Sequence, residues 1–459
     1  MNVENEILNL YRNELQAGLY NLKYNGIPIW RLYRFNCRNR ALKMLFPEYT
    51  NKSKKAYDIS VKKTVNIVCR SFSSILRLRM TNTKVSNIFF AFPRLQNIDG
   101  ILIDKFTDPV IDYSDLKNDV IVFQKLGRRW SEGDRWMRKR VIYSESIVVI
   151  SYVLSILYFV VHFFSKPAKD IALLYNKAKL LFPLTKKDLL IWHLKFVIFR
   201  VMVNKYKSLF KRLCCKRIFV VDREVFFPQL AAAHMSNISS YELQHGVTCG
   251  ETVLYTGHYD SKIDPDYFLT FGDIWRGNQF SIPIDKMINI GWAYKNFIQK
   301  EMHVKEYPEY TVLVISSPEI TRNLVNTIID LAKMNRSFEF HIRTHPQEII
   351  TDELKQKIKD VDNVFEADNT QDSFIAIQAY RHILGENSTV LYEALSMGKN
   401  VGCLSYNGFN PIRLADDLNE GFFYLRKAED FKEFVRHKVN NLNNNIFSLF
   451  NPTAVNNLK

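Results

Sequence analysis

Residues 384–402 read LGENSTVLYEALSMGKNVG, and the order of residue types in this stretch decides the fold. An apolar run ending at Leu384 turns through Gly385, and Asn387, Ser388 and Thr389 offer capping side chains where a helix begins. That helix carries Tyr392 and Glu393 in its first turns and ends at Gly398, before a second apolar run. Strand, hydroxyl-rich turn and helix N-terminus together form an anion site, because backbone N–H groups, hydroxyls and the positive end of the helix dipole converge there.

The same alternation extends upstream. TVLVISS (311–317), FEFHIRTHP (338–346), NVFEAD (363–368) and HILGENS (382–388) read as strands with their exit loops. NLVNTIIDLAKM (323–334), ITDELKQKIK (350–359) and DSFIAIQAY (372–380) read as the helices between them, and VGCLS (401–405) as a further strand. Alternating strands and helices specify a parallel sheet with helices on both faces. Before a linker at 306–310, the pattern occurs a second time in looser form. NIFFAFPR (87–94), DVIVFQ (119–124), IFVV (218–221), SSYELQ (239–244), YFLTF (267–271) and MINIGW (287–292) are its strands. The expected fold is therefore α/β and GT-B-like, with two Rossmann-like domains facing a cleft. Residues 1–85 form an N-terminal helical region and 86–305 a first Rossmann-like, acceptor domain with a basic apolar helical insertion at about 125–215. Residues 306–459 form the second, nucleotide-donor domain.

Composition is that of a globular chain, 47% hydrophobic and 24% charged, and 459 residues exceed one ordinary core. The net charge of +16 favours an acidic partner, such as a phosphorylated substrate or an anionic membrane. No RNA-binding motif accompanies the aromatics, which ranks nucleic acid last. The six cysteines form no CxxC pair, and the first residues have neither a basic nor an apolar leader pattern, so a cytoplasmic protein is expected. Ile147 to Phe164 runs without a formal charge and reaches the lower length of a membrane span. A span would separate the two halves of one enzyme, so a helix that is buried or lies in the interface is preferred, with basic flanks on anionic headgroups. The stretch 189–213, with regularly spaced Lys and Arg among Trp192, Phe196, Phe199 and Met202, is either a surface helix or a long core helix with snorkelling basic stems. Tyr24 to Phe35 is read as a helix start packed on the domain behind it.

Three short motifs fall at the C-terminal ends of expected strands, where open α/β sheets bind ligands. They are Gln244-His245-Gly246, Arg343-Thr344-His345-Pro346 and Gly385-Glu386-Asn387-Ser388-Thr389. Each alone is compatible with an ordinary turn or cap, and their joint order is the signal. Imidazole suits proton abstraction near neutral pH, and a second His, Arg343 and a helix N-terminus suit a developing phosphate charge. Asp264-Pro-Asp266 approximates a metal-binding acidic pair but reads as a turn before a strand, so no metal site is expected. Pro318 and Glu319 either line a nucleotide pocket or start a helix, and Glu386 is equally open.

With these motifs in this order, residues 210–405 resemble the GT-B transferases of bacterial surface-polysaccharide (capsule and O-antigen) assembly: capsule Kdo transferases, polysialyltransferases and CDP-glycerol transferases of teichoic acid synthesis. The resemblance rests on His245-Gly246, His345-Pro346, and Ser388-Thr389 followed by Glu393-Ala394-Leu395 and Gly398-Lys399. It implies His245 as catalytic base and His345, Ser388 and Thr389 around the donor phosphate, where Arg343 and Asn387 are added by their own chemistry. It further implies Glu393 at the nucleotide ribose, while Pro318 and Glu319 stay candidates for the nucleotide pocket, and Gln244, Gly246 and Glu386 candidates for the rest of it. His245 stands where the sialyl and Kdo enzymes place a carboxylate, and Gln244 where a Trp often stands. The implied activity is glycosyl transfer from a nucleotide sugar, of CMP or CDP type, to a lipid-linked glycan at the inner membrane face, with no cofactor beyond that co-substrate. A CDP-glycerol-type polyol-phosphate transferase, a sugar-nucleotide epimerase and a non-catalytic membrane scaffold are the rivals.

Overall fold

Asn87–Ala91 (β1) and Val120–Gln124 (β2) are buried at every position, as strands covered on both faces must be. In the computed structural model they pair in parallel inside a seven-stranded sheet. The structure describes residues 3–46, 61–81, 83–92, 95–98, 100–125, 134–135, 140–246, 252–275, 281–301, 306–317, 321–345, 348, 350–369, 371–386, 388–404, 421–437 and 446–458. Val141–Tyr143 (β3), Arg217–Val220 (β4), Ser239–Leu243 (β5), Tyr267–Thr270 (β6) and Met287–Asn289 (β7) complete the first sheet. Its order is β7-β6-β5-β4-β1-β2-β3, parallel throughout. Alternate residues separate into two cores, with Phe89, Val122 and Phe219 on one face and Ile88, Phe90, Phe123 and Ile218 on the other.

The second sheet comprises Thr311–Ile315 (β8), Glu339–Arg343 (β9), Val364–Glu366 (β10), His382–Gly385 (β11), Asn400–Leu404 (β12) and Phe422–Leu425 (β13). It runs β10-β9-β8-β11-β12-β13, again all parallel. In each sheet the chain starts at an inner strand, builds outward one way, then returns and builds the other way, which is the doubly wound Rossmann pattern. Two such domains with their strand ends turned toward one another make the GT-B-like fold expected from the sequence.

Helices fill the remaining layers. They are Val3–Gln16 (α1), Arg34–Leu45 (α2), Val61–Met80 (α3), the short Asp108–Asp112 (α4), Glu145–His162 (α5), Lys166–Lys179 (α6) and Lys186–Leu213 (α7). Phe227–His234 (α8), Ala293–Glu301 (α9), Thr321–Met334 (α10), Asp352–Lys359 (α11), Ser373–Gln378 (α12) and Thr389–Ser396 (α13) follow. The stretch 189–213 lies in α7, which buries Trp192, Phe196, Phe199, Val203, Tyr206 and Phe210 and is the core helix of the two readings. Tyr24 to Phe35 packs as expected: Trp30 and Tyr33 are buried, and Tyr33 stacks on Trp192 at 4.1 Å.

Three boundaries differ from the sequence reading. The helical insertion at 125–215 contains β3, an edge strand too short to show a hydrophobic period. Residues 446–458 do not stay with the second domain. Phe447 and Phe450 join the core of the first sheet, Ser448 N–H donates to Phe271 O at 2.8 Å, and Arg217 donates to Leu458 O at 2.7 Å. Gly291 permits this return, since a Cβ there would lie 2.2 Å from Leu449 O and its φ is +72°. Finally, the strand read at 87–94 ends at Ala91, and beyond it lies a pairing that the sequence reading did not place, Leu95–Ile98 running antiparallel to Ile101–Asp104 in a separate small sheet.

Candidate active site

In each sheet the winding direction reverses between two neighbouring strands, β1 and β4 in the first and β8 and β11 in the second. Loops leaving such a pair diverge to opposite faces and open a crevice at the strands' C-terminal ends. Of the motifs read from the sequence, residues 385–389 leave a strand of such a pair, β11, whereas 244–246 follow β5 and 343–346 follow β9.

On the first wall, Asp222 follows β4 and its Oδ1 accepts from the N–H groups of Glu224 (2.9 Å) and Val225 (3.2 Å). Its Oδ2 lies 4.0 Å from Nε2 of His245, two residues past β5. Burial raises the Asp222 pKa, while the two N–H bonds oppose that rise. The His245 ring sits among Phe92 (6.4 Å between centroids) and Phe106 (6.3 Å, edge-on), with about a sixth of its side chain exposed, at 16%. Gln244, expected to line the pocket, is wholly buried instead. Its Nε2 donates to Gly246 O (2.9 Å) and its Oε1 accepts from Phe271 N–H (2.8 Å), so it braces the turn that presents His245.

Phe106 and Lys105 come from a turn that sequence reasoning passed over. Asp104 Oδ1 accepts from the N–H groups of Phe106 and Thr107 and from the Thr107 hydroxyl, at 3.0–3.1 Å. Asp108 Oδ2 accepts from Asp104 N–H at 2.8 Å. The signal was the pair of Asp residues around Phe106-Thr107, an Asx-turn composition.

On the opposite wall, Gly385 ends β11 where a Cβ would lie 3.1 Å from Leu391 and 3.2 Å from Ile315 O, so a side chain there would need its neighbours to give by a few tenths of an ångström. Ser388 is the N-cap of α13, its hydroxyl accepting from Val390 N–H at 3.3 Å, and Thr389 is the first helical residue. A Cβ on Gly246 would stand 4.0 Å from Thr389 Oγ1. The histidine turn of one domain and the hydroxyl turn of the other therefore meet. Glu386 is buried.

Glu393, one turn into α13, is also buried, and Ser373 Oγ donates to its Oε2 at 3.5 Å. Lys105 Nζ reaches across from the first domain to 4.0 Å from Oε1. Burial pushes the Glu393 carboxyl up to about 7, Lys105 pulling it down and Asp372 adding to the rise. Arg343 does not face the cleft as a free cation. Its guanidinium donates to the carbonyls of Asp368 and Gln371, holding the loop before α12, and burial lowers its pKa. His345 is exposed, and its N–H donates to Oε2 of Glu348 at 2.8 Å. Glu348, another residue missed in the sequence, is buried and accepts from Ser316 Oγ at 2.6 Å, tying the exit of β9 to that of β8. Pro318, Glu319 and Asn387 lie outside the described residues.

Asp264 has a structural role. Burial works against its charge, but Arg31 and Arg223 outweigh it and hold the carboxyl down at about 2. Arg31 grips both oxygens, at 2.7 and 3.1 Å.

No family model matches this chain, and no curated protein does. Among solved structures it is similar to a UDP-GlcNAc 2-epimerase from Methanocaldococcus jannaschii, at 12% identity and a TM-score of 0.43, over 82% of this chain and 98% of that one. The S. aureus MnaA–UDP co-structure is similar at 11% identity and 0.44, over 81% and 93%. CalG4, the calicheamicin glycosyltransferase, is similar at 10% and 0.43, over 82% and 97%.

Proposed function

We propose that this protein is a nucleotide-sugar-dependent glycosyltransferase acting on a lipid-linked or growing surface glycan. The observation that carries the reading is the approach of Gly246 to Thr389, which sets a histidine turn and a helix N-terminus on facing walls of one cleft. The donor phosphate would sit at Ser388 and Thr389, at the positive end of α13, with Glu393 toward the ribose. The acceptor hydroxyl oxygen attacks the anomeric carbon, and the bond from that carbon to the phosphate oxygen breaks with its electron pair leaving on the nucleotide. The hydroxyl proton passes to His245, beside which Asp222 stabilises the imidazolium. The emerging phosphate charge meets the α13 N–H groups and the Lys105 ammonium.

The test begins with stabilisation of the full chain by CMP, CDP, UDP and GDP, read as a shift in unfolding temperature. CMP or CDP is the favoured nucleotide class. The matching nucleotide sugar is then supplied with and without a lipid-linked glycan. Acceptor-dependent release of nucleotide supports transfer. Acceptor-independent inversion at the sugar ring would make the protein an epimerase, and turnover of CDP-glycerol alone a polyol-phosphate transferase. Absence of turnover with intact nucleotide binding would favour a scaffold.

A further inference from the structure

Helix α5 is built inside out. Its buried positions are Ser146, Ser151, Ser155 and His162, whereas Tyr152, Val153, Ile156, Leu157, Val160 and Val161 are exposed, Leu157 at 68%. Phe164, just beyond the helix, is 88% exposed. Only 22% of the helix is buried, so the reading of 147–164 as a plain core helix does not hold. The inward hydroxyls are satisfied within the protein: Ser151 Oγ donates to Ile147 O at 2.7 Å, Ser155 Oγ to Ser151 O at 2.6 Å, and Ser71 Oγ of α3 meets Ser146 Oγ at 2.9 Å. The outward face, whose polar groups are the phenols of Tyr152 and Tyr158, spans about 27 Å of helix at 1.5 Å per residue. Neighbouring α3 leaves a second outward apolar stripe, Val65, Phe72, Leu76 and Met80, at intervals of seven and four. Exposed apolar surface of this extent marks a docking face.

We infer that this face docks on an anionic lipid bilayer, with α5 lying in the interface rather than crossing it. The charges choose the partner. No Asp or Glu occurs between Ser146 and Lys169 or within α3, whereas exposed Arg70, Arg77, Arg79, Lys166 and Lys169 surround the face. A second copy of this chain packed on the same face would set those cations against their own kind, while anionic headgroups neutralise them. The neighbours of α5 fix its depth. His162 Nε2 lies 3.0 Å from His193 Nδ1, holding the end of α5 against α7, and the first turn is tied to α3 through Ser71 and Ser146. A transbilayer α5 would drag the Lys195 and Arg200 flank of α7 into hydrocarbon, whereas an interfacial one embeds only its outward side. The inference goes beyond the cleft reading and does not depend on what the cleft transfers.

The experiment uses the full chain with vesicles of phosphatidylcholine alone or mixed with phosphatidylglycerol, in a flotation assay at low and high salt. Binding to the anionic vesicles, weakened by salt, is expected. Ile156→Asp with Val160→Asp, one turn apart on the exposed side, should lower the bound fraction about tenfold or more. The unfolding temperature should stay unchanged, since neither side chain is in the core. Failure of the native chain to float, or unchanged flotation of the double variant, overturns the inference. So does conversion of a dimer to a monomer by the variant without loss of vesicle binding, which would assign the face to self-association. Resistance to alkaline carbonate extraction from cell membranes overturns the interfacial geometry in favour of a span.

Discussion

Two clusters of buried charge stand a few strands apart in this protein and are built to opposite rules. Behind the first sheet, Arg223 reaches Glu242 at 2.6 Å and Asp264 at 3.4 Å, and Arg31 closes on Asp264 at 2.7 Å. Ser281 takes a further Arg223 N–H at 3.0 Å. At the cleft, Lys105 stops 4.0 Å short of Glu393, His245 stops 4.0 Å from Asp222, and Glu393 is left with a raised pKa. Tight, bidentate pairing leaves no capacity for a ligand. Burial pushes Glu242 up to about 7 as it does Glu393, so what separates the clusters is the distance of the pairing, and loose pairing is what a site looks like before its ligand arrives. Charge in one cluster holds the N-terminal helices on the domain, and charge in the other remains available for chemistry.

The largest effect should come from breaking the tight cluster. Arg223→Ala leaves Glu242 and Asp264 buried without their shared partner, and a loss of about 3–5 kcal/mol is expected. Denaturant unfolding measures it, and soluble yield serves as the readout if the variant does not accumulate. A loss below about 1 kcal/mol would erase the proposed difference between the clusters.

His245→Ala tests the loose cluster. With the ring partly exposed and held by aromatic contacts, stability should barely change, while turnover falls about 10²-fold or more. Equal losses in stability and turnover would move His245 into the structural class with Gln244.

Glu393 sharpens the contrast through pH. Its carboxyl titrates near 7 in the folded protein against 4.5 unfolded, so the folded state holds the proton more tightly. Its contribution to stability is fully present below about pH 4.5 and is lost as pH rises through about 7, up to about 3 kcal/mol. Glu393→Gln should flatten that part of the stability–pH curve, measured by denaturant midpoints from pH 4.5 to 8. Identical curves for native and variant chains would mean that burial does not raise the Glu393 carboxyl in the folded protein.

How far the sequence carried depended on range. Strands β8 to β11 of the second sheet were legible because each is a short run closed by a turn and followed by a helical stretch, whereas β13 was passed over. Strand β3 was not, since three residues between a basic segment and an apolar helix carry no period, and neither was the return of residues 446–458, a contact made far along the chain. The site followed the same division. His245, Ser388, Thr389 and Glu393 announce themselves through local turn and cap chemistry. Lys105 and Asp222 belong to the site only because the cleft brings distant loops together, and Arg343 looked free until the fold gave it the carbonyls of Asp368 and Gln371.

Lys105 offers the smallest and most discriminating test. Its ammonium is the largest influence holding the Glu393 pKa down against burial, and it comes from the other domain. At 4.0 Å with part of the side chain in solvent, the pair contributes little to stability, and Lys105→Met should change it by about 1 kcal/mol or less. The consequence lies in the direction of the titration. Without the ammonium, burial acts on Glu393 unopposed by its main counter-charge, so the fall in stability with rising pH should move to higher pH. In the Lys105→Met, Glu393→Gln double variant that shift should vanish, because no carboxyl remains to report it. A shift that persists in the double variant would assign the effect of Lys105 to another carboxyl and separate the two walls of the cleft electrostatically.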